Sequence, residues 1–96
     1  MALKTLPFDP ARHLETEDDI LVYLDAAMEG NDPKHIAGAL GDVARSKGMS
    51  EIARKAGVGR QALYAALSET GNPTLETLTS VLDALGLELT VQKRAA

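Results

Sequence analysis

Cysteine and tryptophan are absent from this chain of 96 residues, and its aromatic side chains are Phe8, Tyr23 and Tyr64 alone. Without cysteine there is no disulfide framework and no thiolate metal site. That fits a reducing compartment, and a cytoplasmic protein is expected. With so few aromatics the core has to be built from Leu, Ile, Val, Ala and Met. No stretch of about 18 apolar residues occurs, so no membrane span is expected. No basic-then-apolar leader opens the chain, so no secretory signal is expected either. Catalytic signatures are missing as well: there is no G-x-S-x-G, P-loop or H-E-x-x-H pattern. The two histidines, His13 and His35, fall on separate predicted helices. The acids crowded into Glu15–Asp19 diverge around a helix rather than converge on a metal. No metal, cofactor or catalysis is expected.

What is present is a segregated charge. The net charge of −4 hides three different segments. Residues 1–32 hold two cations against eight acids, a net of −6; residues 33–64 hold six against two, a net of +4; residues 65–96 hold two against four, a net of −2. A basic block inside an acidic chain is the form a local electrostatic footprint takes. Solvated helix faces give the same pattern. The length predicts one domain over residues 1–96. Within it, 1–32 reads as an acidic N-terminal extension and helix, 33–86 as a helical bundle, and 87–92 as a C-terminal strand.

Helical periodicity dominates the reading. Leu3–Leu6 alternates weakly as a short strand, and Asp9-Pro10 opens a turn. Thr16 and Asp19 form a capping box ahead of Ile20, Leu21, Leu24, Ala27 and Met28. Asp32 and Pro33 restart a helix whose stripe is Ile36, Ala37, Leu40, Val43 and Ala44. Arg45, Lys47 and Gly48 mark its end. Ser50 is expected to cap a short helix with Ile52, Ala53 and Ala56, closed by Gly57. Another helix is predicted from about Arg60 to Leu67, with Leu63, Ala66 and Leu67 inward. After the turn-rich loop of residues 68–73, Thr74 opens a last helix with Leu75, Leu78, Val81, Leu82 and Leu85. Leu87–Val91 alternates with period two and predicts a strand, whose mate is either Leu3–Leu6 or the same segment of a second copy.

Gly57-Val58-Gly59-Arg60-Gln61-Ala62 spells G-x-G-x-x-A, the form of a dinucleotide-binding fingerprint. That motif has to follow a buried strand. Here the preceding SEIARKA has its apolar residues at i, i+1 and i+4, with Arg54 and Lys55 outside, which is helical spacing. The alternative is helix, tight turn, helix. Gly57 then supplies the positive φ of the turn and Gly59 the N-cap. Val58 plugs the crevice, and small Ala53 lets the helices cross. Together these positions fit a helix-turn-helix, or a helical hairpin that only packs.

SEIARKAGVGRQALYAAL followed by NPTLETLTSVLDALGL resembles the lambda-repressor-like, Cro/C1-type helix-turn-helix family. More narrowly, the stretch from Phe8 to Val91 is similar to the addiction-module antidote proteins, HigA-like antitoxins of RelE/HigB-type toxins. The resemblance implies a mainly α, lambda-repressor-like bundle with a short C-terminal strand. It also implies an antitoxin that neutralises a small ribonuclease-type toxin and binds operator DNA as an autorepressor. A stand-alone regulator without a toxin would share every DNA-facing expectation.

On that resemblance the helix from Arg60 enters the major groove. Arg60 would meet guanine and Gln61 adenine, while Tyr64 would reach a thymine methyl or a phosphate, or else pack partly inward. Ser50, Arg54, Lys55, Ser68 and Asn72 would meet phosphates. Gly59 stands where many family members have Ser or Thr, so either affinity for DNA is lower or its backbone N–H substitutes for the hydroxyl. A homodimer through the last helix and Leu87–Val91 is expected on a palindromic site. Asp18, Asp19, Asp25, Glu29 and Asp32 are the expected toxin contacts, or else serve as caps and solubilising charges.

Overall fold

Residues 14–94 are described by a computed structural model. In chain order they form α1 (Glu17–Met28), α2 (Pro33–Lys47), α3 (Met49–Ala56), α4 (Arg60–Ala66) and α5 (Leu75–Ala84). The expected Leu3–Leu6 strand and the Asp9-Pro10 turn lie outside the described residues.

Local chemistry sets most helix ends. Thr16 Oγ1 accepts from the Asp19 N–H at 3.0 Å, and the Asp19 carboxylate accepts from the Thr16 N–H at 3.1 Å. The capping box is therefore complete. Hydrogen bonds from the Thr16 N–H first, and then from the Thr16 side chain, hold the Asp19 carboxyl below its ordinary pKa. Asp32 caps α2 through the Lys34 N–H, and Pro33 occupies its first turn. Thr74 caps α5 through the Thr77 N–H. Between α1 and α2 the left-handed residue is Asn31 (φ 54°) rather than Gly30.

Helix α1 packs on α2, and α3 packs against α2, α4 and α5. One apolar cluster runs through all five helices, with Leu40, Val43, Leu63, Leu67 and Val81 as its largest fully buried side chains. Leu67 follows α4 as its C-cap, so the helix ends one residue earlier than expected and the side chain still points inward.

Four expectations are corrected. Ser50 does not cap α3; Gly48 is the N-cap and the helix starts at Met49, which buries its side chain to 4% exposure. Leu21 and Leu75 are not core residues but stand 52% and 68% exposed. In α1 and α5 the buried stripe is narrower than the apolar sequence pattern. The strand over 87–92 does not form among the described residues. The Leu87 N–H instead bonds back to the Leu82 carbonyl at 2.8 Å, ending α5, and residues 88–94 run on exposed. Alternation alone does not make a strand: a ladder needs a second chain segment to accept its hydrogen bonds.

One close approach fixes how α4 sits. A Cβ at Gly41 would overlap the Leu67 carbonyl oxygen, so α2 meets the end of α4 at a residue without a side chain. At Gly38, one turn earlier, a Cβ would meet nothing within 4 Å. The two substitutions should therefore have opposite signs in urea or thermal denaturation. Gly41→Ala is expected to destabilise by about 1–3 kcal/mol, because backbone has to move. Gly38→Ala is expected to stabilise by up to about 1 kcal/mol through helix propensity.

Candidate nucleic-acid interface

Helix α3 ends in Gly57, at φ 72° and ψ 30°, a left-handed conformation that a residue with Cβ adopts only at a cost. The Gly57 N–H bonds to the Arg54 carbonyl at 3.3 Å, and the Val58 N–H returns to the Ala53 carbonyl at 3.0 Å. Val58 is half-buried against the core, and Ala53 is buried within it. Gly59 is the N-cap of α4 with extended backbone and no side-chain cap. Its carbonyl receives the Leu63 N–H at 2.9 Å.

Beyond this turn α4 is held by Leu63 and Leu67, at 0% and 1% exposure. Arg60, Gln61 and Tyr64 are all exposed. The Arg60 guanidinium lies 5.5 Å from the centroid of the Tyr64 ring. An exposed cation–π contact of this kind contributes about 0.5–1 kcal/mol. It holds the arginine along the helix surface.

The other expected residues sit on flanking segments. Ser50, Arg54 and Lys55 are exposed on α3. Both cations already face Glu51: Arg54 Nη2 lies 2.6 Å and Lys55 Nζ 3.7 Å from Glu51 Oε2. The Arg54 hydrogen bond is the main cause holding the Glu51 carboxyl below its ordinary pKa. Exposed pairs like these contribute about 0–1 kcal/mol. Ser68 is half-buried and donates its hydroxyl to the Ala65 carbonyl at 2.9 Å. Asn72 is exposed in the following loop. Of the five expected acidic contacts, Asp19 and Asp32 act in helix caps, while Asp18, Asp25 and Glu29 are exposed along α1.

A polar groove that the sequence reading passed over lies between α1, α2 and the end of α4. The Tyr23 hydroxyl donates to Asp42 Oδ2 at 2.5 Å, and Arg45 pairs with the same carboxylate. Lys34, His35 and Ser68 also line it. The available signal was Asp42, the single acid on the basic second helix. Burial, then the hydrogen bond to Asp42, pushes the Tyr23 phenol up to about 12.

The described residues thus form a mainly helical protein whose exposed polar side chains stand on a short, well-anchored helix. No described helix is long and apolar enough to cross a membrane. Among the described residues no group of three or more His, Asp or Glu is placed to hold a metal. The chain belongs to the family described as "probable addiction module antidote protein", whose model matches residues 4–93. It is an antidote of an addiction module, a function that implies a toxin partner. A protein of Haemophilus influenzae described as uncharacterized is 48% identical over 86 residues, covering 90% of this chain and 89% of the other. No solved structure matches.

The Tyr23 contact has a pH signature. A raised phenol pKa favours the neutral form in the folded state. Its contribution to stability is present in full below the ordinary value of 10.0 and is lost as pH rises through about 12. Ultraviolet absorbance titration of the folded protein should show a phenolate transition near pH 12 that Tyr23→Phe removes.

Proposed function

We propose that this antidote neutralises a RelE/HigB-like ribonuclease toxin in the cytoplasm and represses its own operon by binding double-stranded operator DNA. Helices α3 and α4 act as the helix-turn-helix. The observation that supports the reading most is the outward exposure of Arg60, Gln61 and Tyr64 on a helix whose opposite side is sealed by Leu63 and Leu67. In the major groove, Arg60 pairs with guanine O6 and N7 and Gln61 with adenine N6 and N7. Tyr64 meets a thymine methyl or a phosphate. Ser50, Arg54, Lys55 and Asn72 act on phosphates, with Gly59 offering its N–H and Ser68 its hydroxyl proton in exchange for the bond to the Ala65 carbonyl. These contacts position the protein without reading sequence.

A helix of seven residues reads few base pairs. Specificity then calls for a two-fold dimer on a palindromic operator with half-sites about 34 Å apart. The dimer contact is assigned to α5 and Leu87–Val91, where Leu75 is 68%, Leu89 42% and Val91 96% exposed. Toxin neutralisation is assigned to the acidic surface of α1, because a ribonuclease that grips RNA presents cations. A regulator without a toxin would share the DNA contacts, and family membership favours the antidote.

Anisotropy titrations against salt, with the operator and point-substituted duplexes, test the DNA reading. Arg60→Ala should cost about 1–3 kcal/mol at one base pair and relax specificity there. Lys55→Ala should weaken every duplex alike and lower the salt slope by about one. If both variants bind the operator as the parent does, the recognition-helix assignment is wrong.

A further inference from the structure

Helix α1 buries Ile20, Leu24 and Ala27 and packs on α2. Its opposite side is not simply polar. Leu21 and Val22 stand 52% and 69% exposed on it. At helical spacing, Asp18, Leu21, Val22, Asp25 and Glu29 are separated by three, one, three and four residues and fall along one stripe. The stripe is an apolar pair framed by three carboxylates. These are not the capping acids: the caps of α1 and α2 are made by Thr16 with Asp19 and by Asp32. The segment that carries the stripe has charge of one sign, since residues 14–33 hold seven acids and no lysine or arginine.

We infer that this stripe of α1 is the helix the antidote presents to its toxin, with Leu21 and Val22 as apolar anchors in a toxin groove whose rim is basic. The inference rests on the antidote reading and adds to it the contact residues and the partner's surface chemistry. Charge selects the occupant. DNA is a polyanion and is repelled by this face. A second copy of α1 laid against it would set three carboxylates against three. A protein groove with apolar walls and a cationic rim satisfies both parts of the stripe. It is the helix-in-groove mode of recognition, read at i, i+1 and flanking i±3 and i±4 positions. Anchors at the centre of such a contact hold the complex, whereas rim charges mostly speed its formation. The stripe and α4 lie on different elements, so losing one contact leaves the other intact.

The test uses the full chain and the toxin encoded beside it in its module, co-expressed and purified. Leu21→Gln with Val22→Gln changes exposed helical positions and should leave the thermal midpoint and operator affinity at the parent's values. Toxin affinity should fall about 30-fold or more, chiefly through faster dissociation. Asp18→Asn with Asp25→Asn and Glu29→Gln should slow association about ten-fold at low salt and flatten its salt dependence. If the parent binds the toxin and the Leu21/Val22 variant binds it equally well, the inference is overturned and the antidote reading stands. If the Leu21/Val22 variant changes the oligomeric state of the free protein, the face belongs to a second copy and the inference again fails. If the parent neither binds nor neutralises the toxin, the inference falls together with the reading beneath it.

Discussion

A helix of seven residues does not hold itself together in water. Nucleation is unfavourable, and isolated helices become marginal below roughly 12–15 residues. Helix α4 exists because Leu63 and Leu67 are driven to 0% and 1% exposure against the rest of the bundle. Burial of two leucines contributes about 3–6 kcal/mol, enough to offset a poor nucleus. The geometry of that seat comes from three glycines, one of them Gly71, where a Cβ would overlap the Ala65 and Ala66 carbonyl oxygens. Gly57 turns the chain after α3, and Gly41 lets α2 close onto the Leu67 carbonyl. The outward placing of Arg60, Gln61 and Tyr64 depends on this anchoring, since a helix free to rotate would present no fixed set of side chains.

The G-x-G-x-x-A pattern shows why spacing needs context. The same six residues would suit a phosphate-cradling loop if an extended, buried strand led into Gly57. Instead α3 runs directly into it, and the second glycine is an N-cap rather than a point of close approach. Nothing lies within 4 Å of a Cβ built at Gly57 or Gly59. Backbone angle at the first position, not crowding, is what requires glycine there.

Legibility in the sequence followed the range of the interaction. Thr16 with Asp19, Asp32 with Pro33, Thr74 and Gly57 were readable because their partners lie within a few residues. The buried stripe of α2 was readable for the same reason. Gly41 was not, because its constraint is a carbonyl 26 positions further along the chain. Nor was the Tyr23–Asp42 contact, which joins α1 to α2. Leu21 and Leu75 misled because periodicity marks apolar residues without saying which of them find a neighbour. Leu87–Val91 misled for a related reason: its alternation is real, but no second described segment pairs with it. In the candidate site, exposure of Arg60 and Gln61 followed from the helix period, while the hold of Glu51 on Arg54 and Lys55 required coordinates.

A protein of net charge −4 is an unpromising ligand for DNA if it is treated as a point. It is not one. The Debye length at physiological ionic strength is about 8 Å, and a helix with its side chains is about 10 Å across. The carboxylates of α1 that face away from α2 are therefore about one screening length from the far side of their own helix. The cations of α3 and α4 lie on other elements still. Over one such length a field falls to about a third, so each surface weighs most on the partner nearest it. Segregation of charge along the sequence, acidic before residue 33 and basic from 33 to 64, is only partly kept in space: α1 packs on α2, which carries Lys34, Arg45 and Lys47, while Arg54, Lys55 and Arg60 stand on α3 and α4. One small bundle can then present an acidic stripe on α1 and cations on α3 and α4. Local field rather than isoelectric point decides which approaches where.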